Sequence, residues 1–332
     1  MSKETLIPRI AIVIPFFQKQ SGLLRTCVES ILAQEGVDDF LVIVVDDGSP
    51  VKAGQELAEI CAREPRIKII EQANAGPGAA RNAGLDSVPK GTEYVTFLDS
   101  DDQWTDSFLS DAVDALDRGF DMFIGNSRRS GVDKPRFEWS PDPALNILAE
   151  GHPCIDSDRE LYRFSGDFFN LLVYRSSIVS ANTIAYRFGK LPKVRFNEQL
   201  FNGQDRVFKL SLKEICDAVA FSPKVYAFEG AGVNIFDRSQ WGSEQSIRFL
   251  SSYIELPKTV MKVIALNGAQ QKFVLGQLRE LRRAFAASVL HLLMHRKDVD
   301  WRLVLKTFQN DPMTAVLFLP NAVRIVLGKL VA

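Results

Sequence analysis

Asp99, Ser100, Asp101 and Asp102 place three carboxylates within four residues, directly after the apolar and aromatic run EYVTFL. Like charges this close repel one another unless a cation shares them. A hard divalent ion such as Mg²⁺ or Mn²⁺ prefers oxygen ligands, and Mg²⁺ typically combines one or two carboxylates with substrate phosphates. A second acidic pair, Asp46-Asp47, follows the run FLVIVV in the same way. The plainer reading of 99–102 is a solvated turn with Asp102 capping the next helix, since aspartate is a common cap. Repetition of the pattern points instead to a nucleotide site that includes a metal.

Such a site needs strands that end together. Residues 9–15 (RIAIVIP) form a continuous apolar run closed by Pro15, as a central parallel strand would. Residues 40–45, 67–70 and 93–98 supply three more strands. Between them the spacing of Leu24, Val28, Ile31 and Leu32 predicts a helix over 21–34, and another runs through Leu57 and Ile60. Asn74-Ala75-Gly76-Pro77-Gly78 opens a third helix, with proline where a missing N–H costs little; Arg81 and Asn82 lie on it. This alternation predicts a parallel α/β sheet with right-handed crossovers, and ligands collect beyond the carboxyl ends of such strands. Gly76 and Gly78 serve either a tight turn or a direct ligand contact. Neither GK[ST] nor GxGxxG is present, so Walker-type and dinucleotide binding have no support.

IPFFQ, VVDDGSP, NAGPGAARNAG and FLDSDDQW, in this order and spacing, resemble the family 2 glycosyltransferases, whose fold is the Rossmann-like GT-A nucleotide-sugar transferase type. The four motifs occupy about the first 105 residues. The resemblance implies that Asp47 contacts a uracil and that Phe17, commonly tyrosine in the family, packs on the base, near Pro15. Phenylalanine keeps the stacking face and loses a hydroxyl. Asp99-Ser100-Asp101 corresponds to the DxD motif: Asp99 approaches the ribose and assists the metal, and Asp101 holds Mn²⁺ or Mg²⁺ on the diphosphate. Ser100 and Arg81 join the nucleotide-binding set.

Further along, 106–118 reads as a helix, 122–125 as a strand, and 128–157 as an irregular, variable loop region. Residues 158–172 look helical and 178–186 extended. Phe201-Asn202-Gly203-Gln204-Asp205-Arg206 leads another helix. The family's catalytic base belongs to a Glu-Asp pair here, so Asp205 is the implied base, with Gln204 replacing the usual glutamate. The alternative is an aspartate that caps the helix and favours its dipole. Residues 219–222 and 225–228 read as short strands. Arg238 matches a loop where family members hold the departing diphosphate. QxxRW is absent, which argues against a processive synthase. His152, His291 and His295 are assigned surface or packing roles.

With 332 residues, 46% of them hydrophobic and 24% charged, the chain is an ordinary globular one. Cys27, Cys61, Cys154 and Cys216 lack zinc spacing and fit packing roles in a reducing cytoplasm. The N-terminus has no long apolar core of the signal-peptide kind, and no apolar window is long enough to span a bilayer. The division expected is a GT-A catalytic domain over 1–255 (nucleotide half 1–127, acceptor half 128–255) and a basic amphipathic helical region over 256–332. That last segment holds twelve Lys/Arg against four Asp/Glu, a balance of +8 against −9 elsewhere. Its apolar residues recur at helical spacing in 269–296, with a further helix at 301–308 and apolar runs at 313–320 and 322–327. It resembles interfacial helices on an anionic membrane surface. A helix stripe packed on the protein itself or in a homodimer is the other reading. No nucleic-acid module appears.

Over most of its length the chain resembles bacterial exopolysaccharide glucosyltransferases of the succinoglycan type. That resemblance implies an inverting transfer of a hexose from a UDP-sugar to a polyprenyl-linked oligosaccharide, at the cytoplasmic face of the plasma membrane. Two rivals are a sugar-phosphate nucleotidyltransferase, which should show an N-terminal Gly-rich loop with Arg and Lys, and a non-catalytic scaffold on the same fold.

Overall fold

The computed structural model describes residues 7–230, 242–243 and 245–330, the side chains of 326–330 excepted. The chain forms two compact units, one of Met1–Gln199 with Phe208–Gly232, the other of Leu200–Val207 with Val233–Ala332.

The first unit runs β1 (Ile10–Phe16), α1 (Leu23–Leu32), β2 (Phe40–Asp47), one-turn helices α2 (Ala53–Glu56) and α3 (Ala58–Cys61), β3 (Ile67–Gln72), α4 (Pro77–Asp86), β4 (Tyr94–Phe97), β5 (Gln103–Trp104), α5 (Phe108–Asp117), β6 (Met122–Arg129), β7 (Cys154–Asp156), β8 (Leu161–Arg163), α6 (Phe168–Arg175) and β9 (Ile184–Arg187). It ends with α7 (Gln204–Lys213), from Phe208 on, and β10 (Val219–Glu229). The sheet order is β3-β2-β1-β4-β9-β6-β10-β8-β7, with β5 beside β10. β1 to β4 are parallel, as expected. The sheet as a whole is mixed, because β9 lies antiparallel between β4 and β6.

β1, β2 and β4 are buried almost throughout, which is why they read as continuous apolar runs without alternation. Val13 O accepts from Leu98 N at 3.2 Å. Pro15, two residues on, faces the same side where β4 has already left the ladder, so its missing N–H leaves no gap. Gly84 of α4 lies against β1, where an added Cβ would come within 2.3 Å of Val13 Cγ1. The helix therefore sits close on the strand that carries the first motif.

Several local expectations are corrected. The helix expected over 158–172 is β8 followed by α6: Gly166 turns the chain at φ +108°, and Asp167 caps α6 by accepting from Asn170 N at 2.8 Å. The helix through Leu57 and Ile60 is two single turns. The strands at 219–222 and 225–228 are one strand with register shifts between Ser222 and Val225 and between Val225 and Ala227. The sequence pattern shows the apolar residues of such a strand but not a bulge.

The second unit contains the first turn of α7, then α8 (Gln245–Val263), α9 (Gly268–Met294), α10 (Trp301–Asn310) and α11 (Pro312–Leu330). A cut at 255/256 falls inside α8. Its core includes Ile247, Ile254, Leu278, Phe285, Val289, Leu292 and Val304. α9 starts with a capping box between Asn267 and Gln270, and Arg282 clamps Asp311 with two hydrogen bonds of 2.7 Å. The runs at 313–320 and 322–327 are one helix that continues through Pro320. No helix among the described residues is long and apolar enough to cross a membrane.

Candidate active site

Gln18, immediately after the β1 motif, joins the two acidic strand ends. Its backbone N donates to Ser49 Oγ at 2.8 Å, and Ser49 Oγ donates back to Gln18 O at 2.9 Å. Its side-chain Nε2 donates to Ser100 Oγ at 3.3 Å. The loops after β2 and β4 are thus held together through the end of the strand between them. Phe17 projects outward, 44% exposed, while Phe16 beside it is buried.

Asp47 is 3% exposed and fastens the loop after β3. Its Oδ1 accepts from Gln72 Nε2 at 2.7 Å and from Ala75 N at 2.8 Å, and its Oδ2 accepts from Gly76 N at 2.8 Å. Asn74 Nδ2 donates to Asp47 O at 2.9 Å. Gly48, at φ +68°, lies so near that a Cβ would meet Asn74 N at 3.0 Å. The DDGS and NAGPG motifs therefore interlock as one backbone structure. Asp46 shapes its own turn by accepting from Ser49 N and Ala53 N.

Arg81, on α4, is 5% exposed. Its guanidinium lies 5.2 Å from the Phe196 ring centroid and donates from Nη2 to Asp99 Oδ1. Its Nε and Nη1 are buried without a hydrogen-bond partner among the described residues. Asn82 fixes Phe196 by accepting from its N at 2.9 Å and donating to its O at 2.9 Å.

Negative charge is in surplus at the end of β4. Arg81 pairs with Asp99 and Arg136 pairs with Glu229, whereas Asp101 makes no ion pair among the described residues. Burial, with the Asp99 charge beside it, pushes the Asp101 carboxyl up to about 6. Burial and the charges of Asp99 and Asp101 hold Asp102 well above the usual carboxylate range, against a hydrogen bond from Gly230 N. Burial would also raise Glu229, but Arg136 and Ser127 outweigh it and keep its pKa low. Hard oxygen donors with uncompensated charge suit a divalent cation. Among the described residues no group of three or more His, Cys, Asp or Glu forms a complete cage. A shell built on Asp99 and Asp101 would need further oxygens, such as those of a diphosphate and water.

This geometry sets a pH dependence. A folded pKa raised above the ordinary 3.8 means that the proton stabilises the folded state below about pH 4, and that this is lost as pH rises through 6. At pH 7 in EDTA, Asp101→Asn should therefore melt several degrees above the parent protein, reflecting about 3 kcal/mol. The difference should shrink as pH falls through 6 and vanish only below about pH 3.5, under the ordinary carboxyl value. Melting curves across that range check it; equal melting temperatures at pH 7 would mean that Asp101 carries no strain.

Asp205 belongs to the second unit. It is half-buried in the first turn of α7, one residue inside the helix start, so it is not the cap itself. Gly203 precedes it at φ +77°, where a Cβ would meet Leu256 Cδ2 at 2.5 Å. Burial lowers the pKa of the neighbouring Arg206, and the charges of Asp205 and Tyr253 partly restore it. Arg238 lies outside the described residues. His291 and His295 stack at 4.0 Å, and His152 packs between Phe164 and Phe221.

Sequence reasoning missed Asn182 and Glu229, which act on the acidic turn, and Arg136, which pairs with Glu229. Asn182 lies in a 3₁₀ turn inside a stretch expected to be extended, with no motif to mark it.

The family description "Glycosyl transferase family 2" matches residues 11–191. The chain belongs to glycosyltransferase family 2. Succinoglycan biosynthesis protein ExoW of Rhizobium meliloti (strain 1021) is 46% identical over 255 residues, covering 72% of this chain and 74% of ExoW. The GalNAc(5)-diNAcBac-PP-undecaprenol beta-1,3-glucosyltransferase of Campylobacter jejuni is 26% identical over 264 residues, covering 79% of this chain and 77% of that enzyme. Among solved structures, S. aureus TarS 1-349 in complex with UDP-GlcNAc superposes with a TM-score of 0.55 at 18% identity, covering 86% of this chain and 73% of that one. The chain spans 44% of the longer TarS chain. Mannosyltransferase PcManGT from Pyrobaculum calidifontis, in complex with GDP-Man and Mn²⁺, has a TM-score of 0.54 at 15% identity, covering 98% of this chain and 88% of that one. At these identities the structural likeness establishes the fold, a GT-A type α/β sheet with a helical C-terminal region.

Proposed function

We propose that this family 2 glycosyltransferase moves a hexose, glucose in our reading, from a UDP-sugar to a hydroxyl of a polyprenyl-linked oligosaccharide in exopolysaccharide assembly, with inversion and without processivity. The observation that carries the reading is the junction at Gln18, which ties the loop after Asp47 to the Asp99–Asp102 turn and directly follows the exposed Phe17. Phe17 offers a stacking face to a base. Asp47, with Ala75 and Gly76, sets the backbone expected to meet the uracil. Arg81 holds Asp99 toward the ribose and brings positive charge near the phosphates. Asp99 and Asp101 would hold Mn²⁺ or Mg²⁺, which when bound neutralises charge building on the departing diphosphate. Asp205 takes the acceptor proton, as single displacement requires. The UDP-GlcNAc bound to TarS supports the choice of donor, and the undecaprenol-linked substrate named for the Campylobacter enzyme supports the acceptor class. UDP release from a panel of UDP-sugars, with and without a lipid-linked acceptor, tests the reading. Turnover of none of them would leave the scaffold alternative standing.

The helical unit supports a place at an anionic membrane surface. Met313, Val316, Leu319 and Val323 recur at spacings of three and four on α11, each at least 47% exposed, and 312–323 contains no charged residue. Trp301 and Leu305 of α10 are likewise exposed, next to Arg302 and Lys306. A helix face turned to water ordinarily carries charge, whereas apolar rows bordered by basic residues suit a lipid headgroup boundary. Val316→Asp with Leu319→Asp should cut co-sedimentation with phosphatidylglycerol vesicles at least ten-fold. Unchanged vesicle binding would favour a second copy of the chain as the covering partner.

A further inference from the structure

Besides Gln18 and Arg81, which reach Ser100 and Asp99, one side chain spans both ends of the acidic turn after β4. Asn182 Oδ1 accepts from Asp99 N at 3.1 Å, and Asn182 Nδ2 donates to Asp102 Oδ2. Its backbone O accepts from Trp104 Nε1 at 2.7 Å. Asp102 Oδ1 accepts from Gly230 N at 2.9 Å, and Asp102 N donates to Asp99 O at 3.0 Å. Asn182 and Asp102 are 3% and 6% exposed, so water cannot replace these bonds freely. A carboxamide is the neutral side chain that presents an acceptor at one end and a donor at the other, and the turn requires one of each.

We infer that Asn182 is the positioning residue for the metal- and ribose-facing carboxylates, and that Asp102 serves as its counterpart and not as a ligand. By engaging Asp102 with its donor end and the Asp99 amide with its acceptor end, Asn182 fixes the intervening Ser100-Asp101 segment. Asp101 is thereby kept free to face an ion. The inference rests on the proposed donor site.

The arrangement can be exchanged. With Asp at 182 and Asn at 102, the carboxylate at 182 accepts from Asp99 N and from the carboxamide at 102, whose oxygen accepts from Gly230 N. All three side-chain bonds survive and the cluster keeps its net charge. Asn182→Asp alone sets two carboxylates against each other in a buried place.

The test is calorimetric titration of UDP at saturating Mn²⁺, paired with Mn²⁺ binding followed by electron paramagnetic resonance, on folded parent, N182D, N182A, D102N and N182D/D102N proteins. N182D and N182A should weaken Mn²⁺-dependent UDP binding ten-fold or more, and the double variant should return to within about three-fold of the parent. Rescue by exchange would not follow from a general loss of packing. Parent-like binding in folded N182A and N182D overturns the inference, as does a folded double variant no better than N182D. If the single variants do not fold, a folded double variant within about three-fold of the parent supports the inference, and one about ten-fold or more weaker overturns it. A parent protein that binds neither UDP nor Mn²⁺ refutes the donor-site reading itself, and this inference with it.

Discussion

Asp205→Asn is expected to lower kcat by about 10³-fold, within the range that general-base catalysis commonly contributes. Asparagine keeps the shape and polarity of the side chain but cannot take a proton at neutral pH. UDP affinity should stay within about three-fold of the parent, because in the proposed mechanism Asp205 acts on the acceptor and not on the nucleotide. The first turn of a helix, where the N–H groups carry partial positive charge, favours the ionised carboxylate. Gln204 stands where the family commonly has glutamate, so the pair carries one negative charge fewer. Parent-like turnover in Asp205→Asn would transfer the role of base to another residue.

Asp101→Ala should produce the second large loss. Among the carboxylates of the turn, Asp99 is paired with Arg81 and Asp102 is bonded to Asn182 and Gly230, so Asp101 is the member with charge to spare. Removing it should cut turnover about 10²-fold or more at any Mn²⁺ concentration, through lost stabilisation of the departing diphosphate. The same variant should melt higher in EDTA at pH 7, because it no longer holds a desolvated charge. Lower activity together with higher stability separates a functional carboxylate from a structural one. A variant with normal kcat, or one that is merely unstable, would not fit this role.

The N-terminal strands and the turns that follow them were legible because their physics is local. β1, β2 and β4 are buried strands whose apolar runs stop at their polar ends, and Gly48 and Gly76 stand where the interlocked turns need positive φ. The sequence also placed carboxylates, arginine and the exposed aromatic side by side in recognisable order. It could not show that β9 enters the sheet antiparallel, since antiparallel and parallel strands of similar burial have similar composition. It could not show Asn182 either: that residue reaches the turn from 83 positions away, through bonds that only the folded chain brings together. The helix misplaced over 158–172 failed at Gly166 and Asp167, a turn and a cap that periodicity alone passes over. In the helical unit the stripe spacing was clear, but both faces of α11 are apolar, so pattern alone did not separate the buried side from the exposed one.

The most direct test of a nucleotide diphosphate held through a divalent ion is UDP titration of the parent protein in a calorimeter, once with excess Mn²⁺ and once with EDTA. Saturable one-to-one binding is expected, at least ten-fold tighter with Mn²⁺, with the difference lost in Asp101→Ala. Equal affinity with and without the ion, or a metal effect that survives Asp101→Ala, would contradict it.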